Sequence, residues 1–173
     1  MPHNVELKAR IRSIAEARRI ALSLGAEDVG ILRQRDTFLM QGARRIKLRE
    51  EAGKCPEVIY YSRPNAGTRS GRWSAYMRLP VSSARAILDG PQWKRRDRIV
   101  VTKVRSLYIF RNSRIHLDRV KGLGTFLEFE VLLRRGERQA QQLLRKLAES
   151  FEIREQDIVP GAYADLLMKR LQP

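Results

Sequence analysis

Apolar and polar residues alternate one by one along several short stretches of this chain. From Arg114 to Asp118, charged or polar side chains occupy every second position, and Ile and Leu lie between them. The same period returns from Phe126 to Glu130. A period of two residues is typical of a β-strand, because successive side chains point to opposite faces. Each stretch therefore predicts a strand that carries charge on one face.

Further strands are predicted where this period recurs between turn residues. Arg111-Asn112 is the predicted turn of a hairpin, and Gly122-Leu123-Gly124 is a tight connection that brings the last two strands side by side. In total about eight strands, mostly antiparallel, are predicted. They cover Asn4 to Arg12, Val29 to Phe38, Arg44 to Glu50, Val58 to Arg63, Trp73 to Leu79, Arg98 to Phe110, Ser113 to Val120 and Thr125 to Leu133.

Helices are predicted from their longer period and from the residues at their ends. Ser13 and Glu16 have the spacing of a capping box, and the helix that they begin ends near Gly25. The leucines of the last two helices are expected in the core or in a homodimer contact. The remaining helices are predicted from a cap at Ser82 or Ser83 to Gly90, from Glu137 to Ser150 and from Ala162 to Leu171.

Length, charge and cysteine content limit the kind of protein. The chain has 173 residues, and one domain over residues 1–173 is expected. Lys and Arg number 35 against 19 Asp and Glu, a formal net charge of +16 that predicts an anionic partner. The single cysteine, Cys55, excludes an internal disulfide. Without a signal-peptide core or an apolar run that could span a bilayer, a cytoplasmic protein with no membrane partner is expected.

The charged faces of the predicted strands leave two arrangements open. Charged faces usually point to solvent. Alternatively they line a barrel and are matched by a bound anion, because buried unpaired charges are costly. In the second case Glu128 and Glu130, about 7 Å apart on one strand face, could share a hard cation with Asp118 of the neighbouring strand. The other charged faces are Glu6/Lys8/Arg10, Arg45/Lys47/Arg49 and Lys103/Arg105.

An ordered set of short motifs resembles one known family. Asn4-Val5-Glu6-Leu7-Lys8 is similar to the Glu-x-Glu-x-Lys signature that opens the CYTH proteins, the triphosphate tunnel enzymes that include class IV adenylyl cyclases and thiamine triphosphatases. The resemblance extends over essentially the whole chain. It continues through Gln34-x-Asp36-Thr37, Lys47-x-Arg49-Glu50, Tyr61-x-Arg63-Pro64, Lys103-x-Arg105-x-Leu107-Tyr108, Arg114 to Asp118, Gly122-Leu123-Gly124, Glu128-x-Glu130 and Ala162-Tyr163-x-Asp165-Leu166-Leu167.

The resemblance implies an α+β fold, in which an eight-stranded antiparallel β-barrel forms a tunnel with flanking helices. It also implies a triphosphate substrate and Mg or Mn as cofactor. Arginine forks suit phosphate oxygens, and carboxylates suit these cations. The implied metal ligands are Glu6, Asp118, Glu128 and Glu130. The implied substrate-binding residues are Lys8, Arg45, Lys47, Arg49, Arg63, Lys103, Arg105 and Arg114.

The sequence departs from the family signature at its first position. Asn4 stands where the signature has glutamate, and a neutral amide supplies an oxygen but no charge and no general base. This departure puts a second metal site in doubt. His116 has the same strand parity as Asp118, so a structural, substrate-orienting or proton-transfer role in the tunnel is open. The candidate catalytic residues are Glu6, Lys8, Glu130 and His116.

Three functions are compatible with this sequence. The Arg105 to Tyr108 segment, the Gly122 to Gly124 connection and the closing motif look most similar to class IV adenylyl cyclases, which predicts conversion of ATP to cyclic AMP and pyrophosphate. Hydrolysis of tripolyphosphate or thiamine triphosphate is the alternative. A non-enzymatic RNA-binding protein is a remote third possibility, because aromatic residues are only 7% and acidic residues share the basic strands. No nucleic-acid partner is therefore expected.

Overall fold

The computed structural model describes residues 3–41, 44–62, 71–91, 98–134 and 136–171. Eight strands and four helices follow one another along these residues. The strands are β1 (His3–Arg10), β2 (Glu27–Gln41), β3 (Arg44–Glu51), β4 (Glu57–Ser62), β5 (Arg72–Pro80), β6 (Arg98–Phe110), β7 (Ser113–Val120) and β8 (Gly124–Leu132). The helices are α1 (Ile14–Ser23), α2 (Ala84–Leu88), α3 (Glu137–Ser150) and α4 (Tyr163–Leu171), with a 3-10 turn at Glu155–Asp157.

The strands close into one barrel in which neighbouring strands are antiparallel. Their order around the barrel is β1-β5-β4-β3-β2-β6-β7-β8. Closure is complete because β1 pairs with β5 on one side and with β8 on the other. The predicted α+β fold, an eight-stranded antiparallel barrel with flanking helices, is confirmed.

The largest apolar core of the protein lies outside the barrel, between the barrel wall and two helices. Side chains alternate between the two faces of a strand, so the residues between these apolar positions face inward. The charged side chains therefore line the interior, which is the second of the two arrangements that the sequence leaves open. The core contains Val5, Leu7, Ile115, Leu117, Leu127 and Phe129 from the strands, Ala17 and Ala21 from α1, and Leu143, Leu144 and Leu147 from α3.

Local sequence determines where α1 begins and ends. The Ser13 hydroxyl accepts a hydrogen bond of 3.1 Å from the backbone N–H of Glu16, as the capping spacing predicts. Gly25 adopts a φ of +80°, the left-handed conformation that commonly follows a helix. With its ends fixed in this way, α1 turns Ala17 and Ala21 toward the barrel, where both are buried.

Apolar side chains fill one end of the barrel. Phe38, Val101 and Phe126 continue the inward faces of β2, β6 and β8 beyond the charged positions, and they pack with Tyr163 of α4. The rings of Phe126 and Tyr163 meet edge to face, with their centroids 5.0 Å apart. This end of the barrel is therefore apolar, and the charged part of the interior begins next to Tyr163.

Strand boundaries differ from the prediction mainly in β2. The predicted strand covers residues 29–38, whereas β2 extends over Glu27–Gln41 because it pairs along its length with β6 and with β3. A bulge between Asp28 and Gly30 keeps it in register with β6. Arg63, predicted at the end of β4, lies outside the described residues. None of the helices in the described ranges has the length and apolar character needed to cross a bilayer.

Candidate active site

Asp36 lies at the centre of a cluster of interior cations. Its carboxylate accepts two hydrogen bonds from the Arg49 guanidinium, of 2.7 and 2.8 Å, and one of 2.7 Å from the Lys103 ammonium. The Lys47 ammonium lies 3.6 Å from the same carboxylate. Burial alone raises the pKa of Asp36, but the three cations outweigh it and hold the pKa well below its ordinary value. One buried carboxylate therefore keeps three cations together.

The strand register explains how this cluster forms. Asp36 of β2 lies directly opposite Arg49 of β3. On the other side of β2, Lys103 of β6 lies opposite Gln34, one inward position away from Asp36. Both neighbours of β2 thus direct a cation at the same carboxylate, because inward positions on adjacent strands lie side by side.

A second ionic cluster surrounds Arg105 on the opposite side of β6. The guanidinium donates two hydrogen bonds to Asp118, of 2.7 and 2.6 Å, and one of 2.8 Å to Glu128. The Tyr163 hydroxyl donates a further hydrogen bond of 2.8 Å to Asp118. The Lys8 ammonium lies 3.2 Å from Glu128 and 4.0 Å from the centre of the Tyr163 ring. Hydrogen bonds to two buried carboxylates thus fix the Arg105 fork.

A group of potential metal ligands lies beside the second cluster. His116 of β7 is directly opposite Glu128 of β8, and Arg114 is directly opposite Glu130. A ring nitrogen of His116 and one carboxylate oxygen each from Glu128 and Glu130 all lie within 4.8 Å of one another. Burial raises the pKa of Glu128, but Lys8 and its other cationic neighbours lower it well below the ordinary value. An ionised carboxylate is the form that binds a metal, so these three residues fit a divalent cation.

Both clusters and the potential metal ligands face one cavity of about 270 Å³. Among the described residues that line it, cationic side chains outnumber carboxylates by eight to five. Such a wall suits a compact polyanion that is accompanied by a metal cation. The cations are Lys8, Lys47, Arg49, Lys54, Arg78, Lys103, Arg105 and Arg114, and the carboxylates are Glu6, Asp36, Glu51, Glu128 and Glu130.

Lys47 differs from the other cations of the cavity in its strongly lowered pKa. Burial and the nearby charge of Arg49 lower the pKa of Lys47 to about 7, although Asp36 opposes the shift. Only 18% of its side chain is exposed. An anion placed against Lys47 favours the charged form of the amine, so anion binding is linked to uptake of a proton.

Comparison with known proteins places this barrel in a family. The family model of the CYTH domain matches residues 2–163. The chain belongs to the CYTH family. No curated protein matches the chain.

Solved structures share the fold of this CYTH protein at low sequence identity. A conserved hypothetical protein from Pyrococcus furiosus is 18% identical with a TM-score of 0.77, covering 94% of this chain and 99% of its own. A "putative adenylate cyclase" from Vibrio parahaemolyticus is 19% identical with a TM-score of 0.73, covering 95% and 97%. A "putative adenylyl cyclase" from Hippeastrum, described as having a dominant triphosphatase activity, is 13% identical with a TM-score of 0.65, covering 98% and 96%.

The barrel of this CYTH protein brings most of the predicted site residues together. Lys8, Lys47, Arg49, Lys103, Arg105 and Arg114 line the cavity, as do Glu6, His116, Glu128 and Glu130. Arg45 lies on β3, two residues from Lys47, but its side chain is outside the described part of the structure, as is the whole of Arg63. The roles of these residues remain predictions.

Asp118 and Asn4 have surroundings that bear on their predicted roles. Both carboxylate oxygens of Asp118 accept hydrogen bonds, so its contacts favour a role in holding Arg105 over the predicted metal ligation. Asn4 lines the cavity and is 1% exposed. Its side-chain oxygen has no hydrogen-bond partner among the described residues. This amide therefore keeps an oxygen available in the site.

Sequence reasoning assigned no role to Asp36 or Tyr163, although both belong to motifs that carry the family resemblance. Asp36 has the same strand parity as Gln34, and that parity was the available signal for an inward carboxylate. No local signal places Tyr163 against Asp118, because the two residues are 45 positions apart in the chain.

Proposed function

We propose that this CYTH protein is a metal-dependent enzyme that binds ATP by its triphosphate and converts it to cyclic AMP and pyrophosphate. One observation carries the proposal: a single cavity combines a wall of eight described cations with a His–Glu–Glu group that fits a divalent cation. Cations alone would suit any small polyanion. The combination suits a phosphoryl-transfer reaction, in which catalysis depends mainly on positioning and charge neutralisation.

In this reaction the interior cations hold the triphosphate in line for attack. The 3′ oxygen of the ribose forms a bond to the α phosphorus, the bond from the α phosphorus to its bridging oxygen breaks, and pyrophosphate leaves with that electron pair. The hydroxyl proton passes to a carboxylate of the site, for which Glu6 is the candidate. Arg49 and Arg105 are fixed by their carboxylate partners, so they bind phosphate oxygens with little loss of side-chain freedom. A divalent cation on Glu128 and Glu130 would neutralise the charge that develops on the leaving group.

Asn4 is the reason to place cyclisation before hydrolysis. The neutral amide removes a carboxylate that could position and activate a water molecule, whereas the ribose hydroxyl is already part of ATP and needs only Glu6 as its proton acceptor. The resemblance to class IV adenylyl cyclases also favours cyclisation over hydrolysis. A "putative adenylate cyclase" is also among the proteins that share the fold.

Hydrolysis of tripolyphosphate or thiamine triphosphate is the second candidate, and the size of the cavity favours it. A volume of about 270 Å³ is below the roughly 300–1,000 Å³ of sites that enclose drug-sized ligands. The described cavity therefore suits a triphosphate better than a whole nucleotide, whose base would lie outside it. The Hippeastrum protein with a dominant triphosphatase activity supports this alternative. RNA binding gains no such support, since the strand residues among these cations face the barrel interior.

Product analysis tests the proposal. We expect incubation with ATP and Mg²⁺ or Mn²⁺ to yield cyclic AMP and pyrophosphate, whereas tripolyphosphate and thiamine triphosphate should release phosphate slowly. Asn4→Glu should shift the products toward phosphate release, because it restores a carboxylate. Asn4→Gln keeps a neutral amide and serves as the matched control. Rapid phosphate release from tripolyphosphate with no cyclic AMP would show that the protein is a hydrolase and not a cyclase. Absence of turnover for all three substrates would overturn both proposed activities.

A further inference from the structure

His116 has an unusual environment for a buried histidine. The residue is 4% exposed, and no described residue offers a hydrogen-bond partner to its Nδ1. Its two nearest recorded acceptors are carboxylate oxygens, Glu128 Oε2 at 3.6 Å and Glu130 Oε1 at 3.8 Å. Both distances exceed the range of about 2.7–3.2 Å in which such hydrogen bonds form. A buried ring nitrogen thus faces two carboxylates at distances longer than an ordinary hydrogen bond.

These separations match those between ligands of one metal ion. Metal–nitrogen and metal–oxygen bonds of about 2.0–2.2 Å place two ligand atoms of the same ion about 3–4.4 Å apart. The distances of 3.6 and 3.8 Å from His116 fall in this interval, and the ligand atoms of all three residues lie within 4.8 Å of one another, close to its upper end. Other contacts leave the arrangement possible, because Arg114 pairs with the second oxygen of Glu130, and Glu128 Oε2 has a second lone pair beside the one directed at Arg105.

We propose that Nδ1 of His116 is a direct ligand of the divalent cation, together with Glu128 and Glu130. This inference rests on the metal dependence in the proposed function, and it adds a nitrogen donor to a site otherwise built from oxygen donors. Imidazole suits transition metals, whereas Mg²⁺ prefers oxygen ligands throughout. The site therefore selects Mn²⁺ or Co²⁺ over Mg²⁺, a preference that carboxylates alone do not create.

A structural role for His116 makes a different prediction. If the ring merely fills space or pairs ionically with the two carboxylates, a bound Mn²⁺ ion has oxygen neighbours only. In that case substitution of His116 could still lower the metal affinity, because the side chain that packs between the two carboxylates would be lost. The decisive readout is therefore the nature of the atom bonded to the metal, and it is independent of activity.

Pulsed electron paramagnetic resonance of bound Mn²⁺ supplies this readout on untagged protein. We expect the wild-type spectrum to show the ¹⁴N modulation of a directly bonded imidazole, and labelling with ¹⁵N-histidine should change that modulation without any substitution. His3→Gln removes the only other histidine of the chain and should leave the signal intact. His116→Gln should abolish it and weaken Mn²⁺ binding by at least about tenfold, with a smaller loss for Mg²⁺.

The outcomes separate this inference from the proposed function. Mn²⁺ that binds in the presence of tripolyphosphate but shows no histidine-dependent modulation overturns the inference and leaves a carboxylate metal site in place. Equal losses of Mn²⁺ and Mg²⁺ affinity in His116→Gln also count against it. Failure of the wild-type protein to bind either metal, with or without tripolyphosphate, overturns the metal dependence itself.

Discussion

Asp36→Asn is expected to lower the melting temperature by about 10 °C. The carboxylate is 1% exposed and is the shared partner of Arg49, Lys103 and Lys47. Removing one partner of a buried ion pair costs about 3–5 kcal/mol. Each kcal/mol corresponds to about 2–4 °C for a protein of this size. Thermal unfolding followed by circular dichroism measures the effect.

A control variant and an added anion test whether the lower melting temperature comes from the interior cations. Asp28 pairs with Arg18 on the surface, where both side chains are exposed, so Asp28→Asn should change the melting temperature little. Tripolyphosphate should raise the melting temperature of Asp36→Asn more than that of the wild type, because the variant leaves the interior cations without their counter-charge. Equal melting temperatures for the two variants would contradict the role given to Asp36.

Glu130→Gln is expected to reduce turnover by about a hundredfold or more while the fold survives. The substitution preserves size but removes a negative charge from the proposed metal site, where a cation contributes several kcal/mol to transition-state stabilisation. Glu130 is partly open to the cavity, with 19% of its side chain exposed, so the loss of its weak contact with Arg114 should be tolerated. Initial rates at saturating Mg²⁺ or Mn²⁺ measure the effect.

Glu50→Gln is the matched control for this experiment. Glu50 also lies on a strand and pairs with an arginine, but its partner is Arg35 on the outer face of the barrel. We expect its turnover to remain near that of the wild type. Near-normal activity of Glu130→Gln at saturating metal would contradict a role for Glu130 in metal binding.

Local patterns predicted the elements of this fold well because each depends on neighbouring residues. The alternation around His116 and Glu128 identified β7 and β8, and Ser13 and Gly25 marked the ends of α1. Local patterns did not predict whether each charged face points inward or outward. Strand parity is the same whether a face points to solvent or into a barrel, so the interior arrangement was favoured only by Glu128 and Glu130 near Asp118, by the tight Gly122 to Gly124 connection and by the family resemblance.

The site's internal pairing could not be predicted, because it depends on contacts between distant parts of the chain. Lys103 reaches Asp36 across 67 positions, and β2 must lie between β3 and β6 before one carboxylate can meet three cations. The resemblance implied that Asp118 is a metal ligand, which stays a prediction, and no local signal indicated that Arg105 and Tyr163 contact its two oxygens. Sequence thus predicted which residue types occupy the interior better than which of them pair.

If a triphosphate binds inside the barrel, against its buried cations, its binding should be accompanied by proton uptake. Calorimetric titration with α,β-methylene-ATP and Mg²⁺, at about pH 8 in two buffers of different ionisation enthalpy, measures that uptake. Lys47 has a pKa of about 7 and is mostly neutral at this pH, so an adjacent phosphate should raise its pKa and draw in a proton. We expect binding with proton uptake by the wild type and binding without that uptake by Lys47→Arg. The same proton balance in both proteins, or no binding at all, would contradict this expectation.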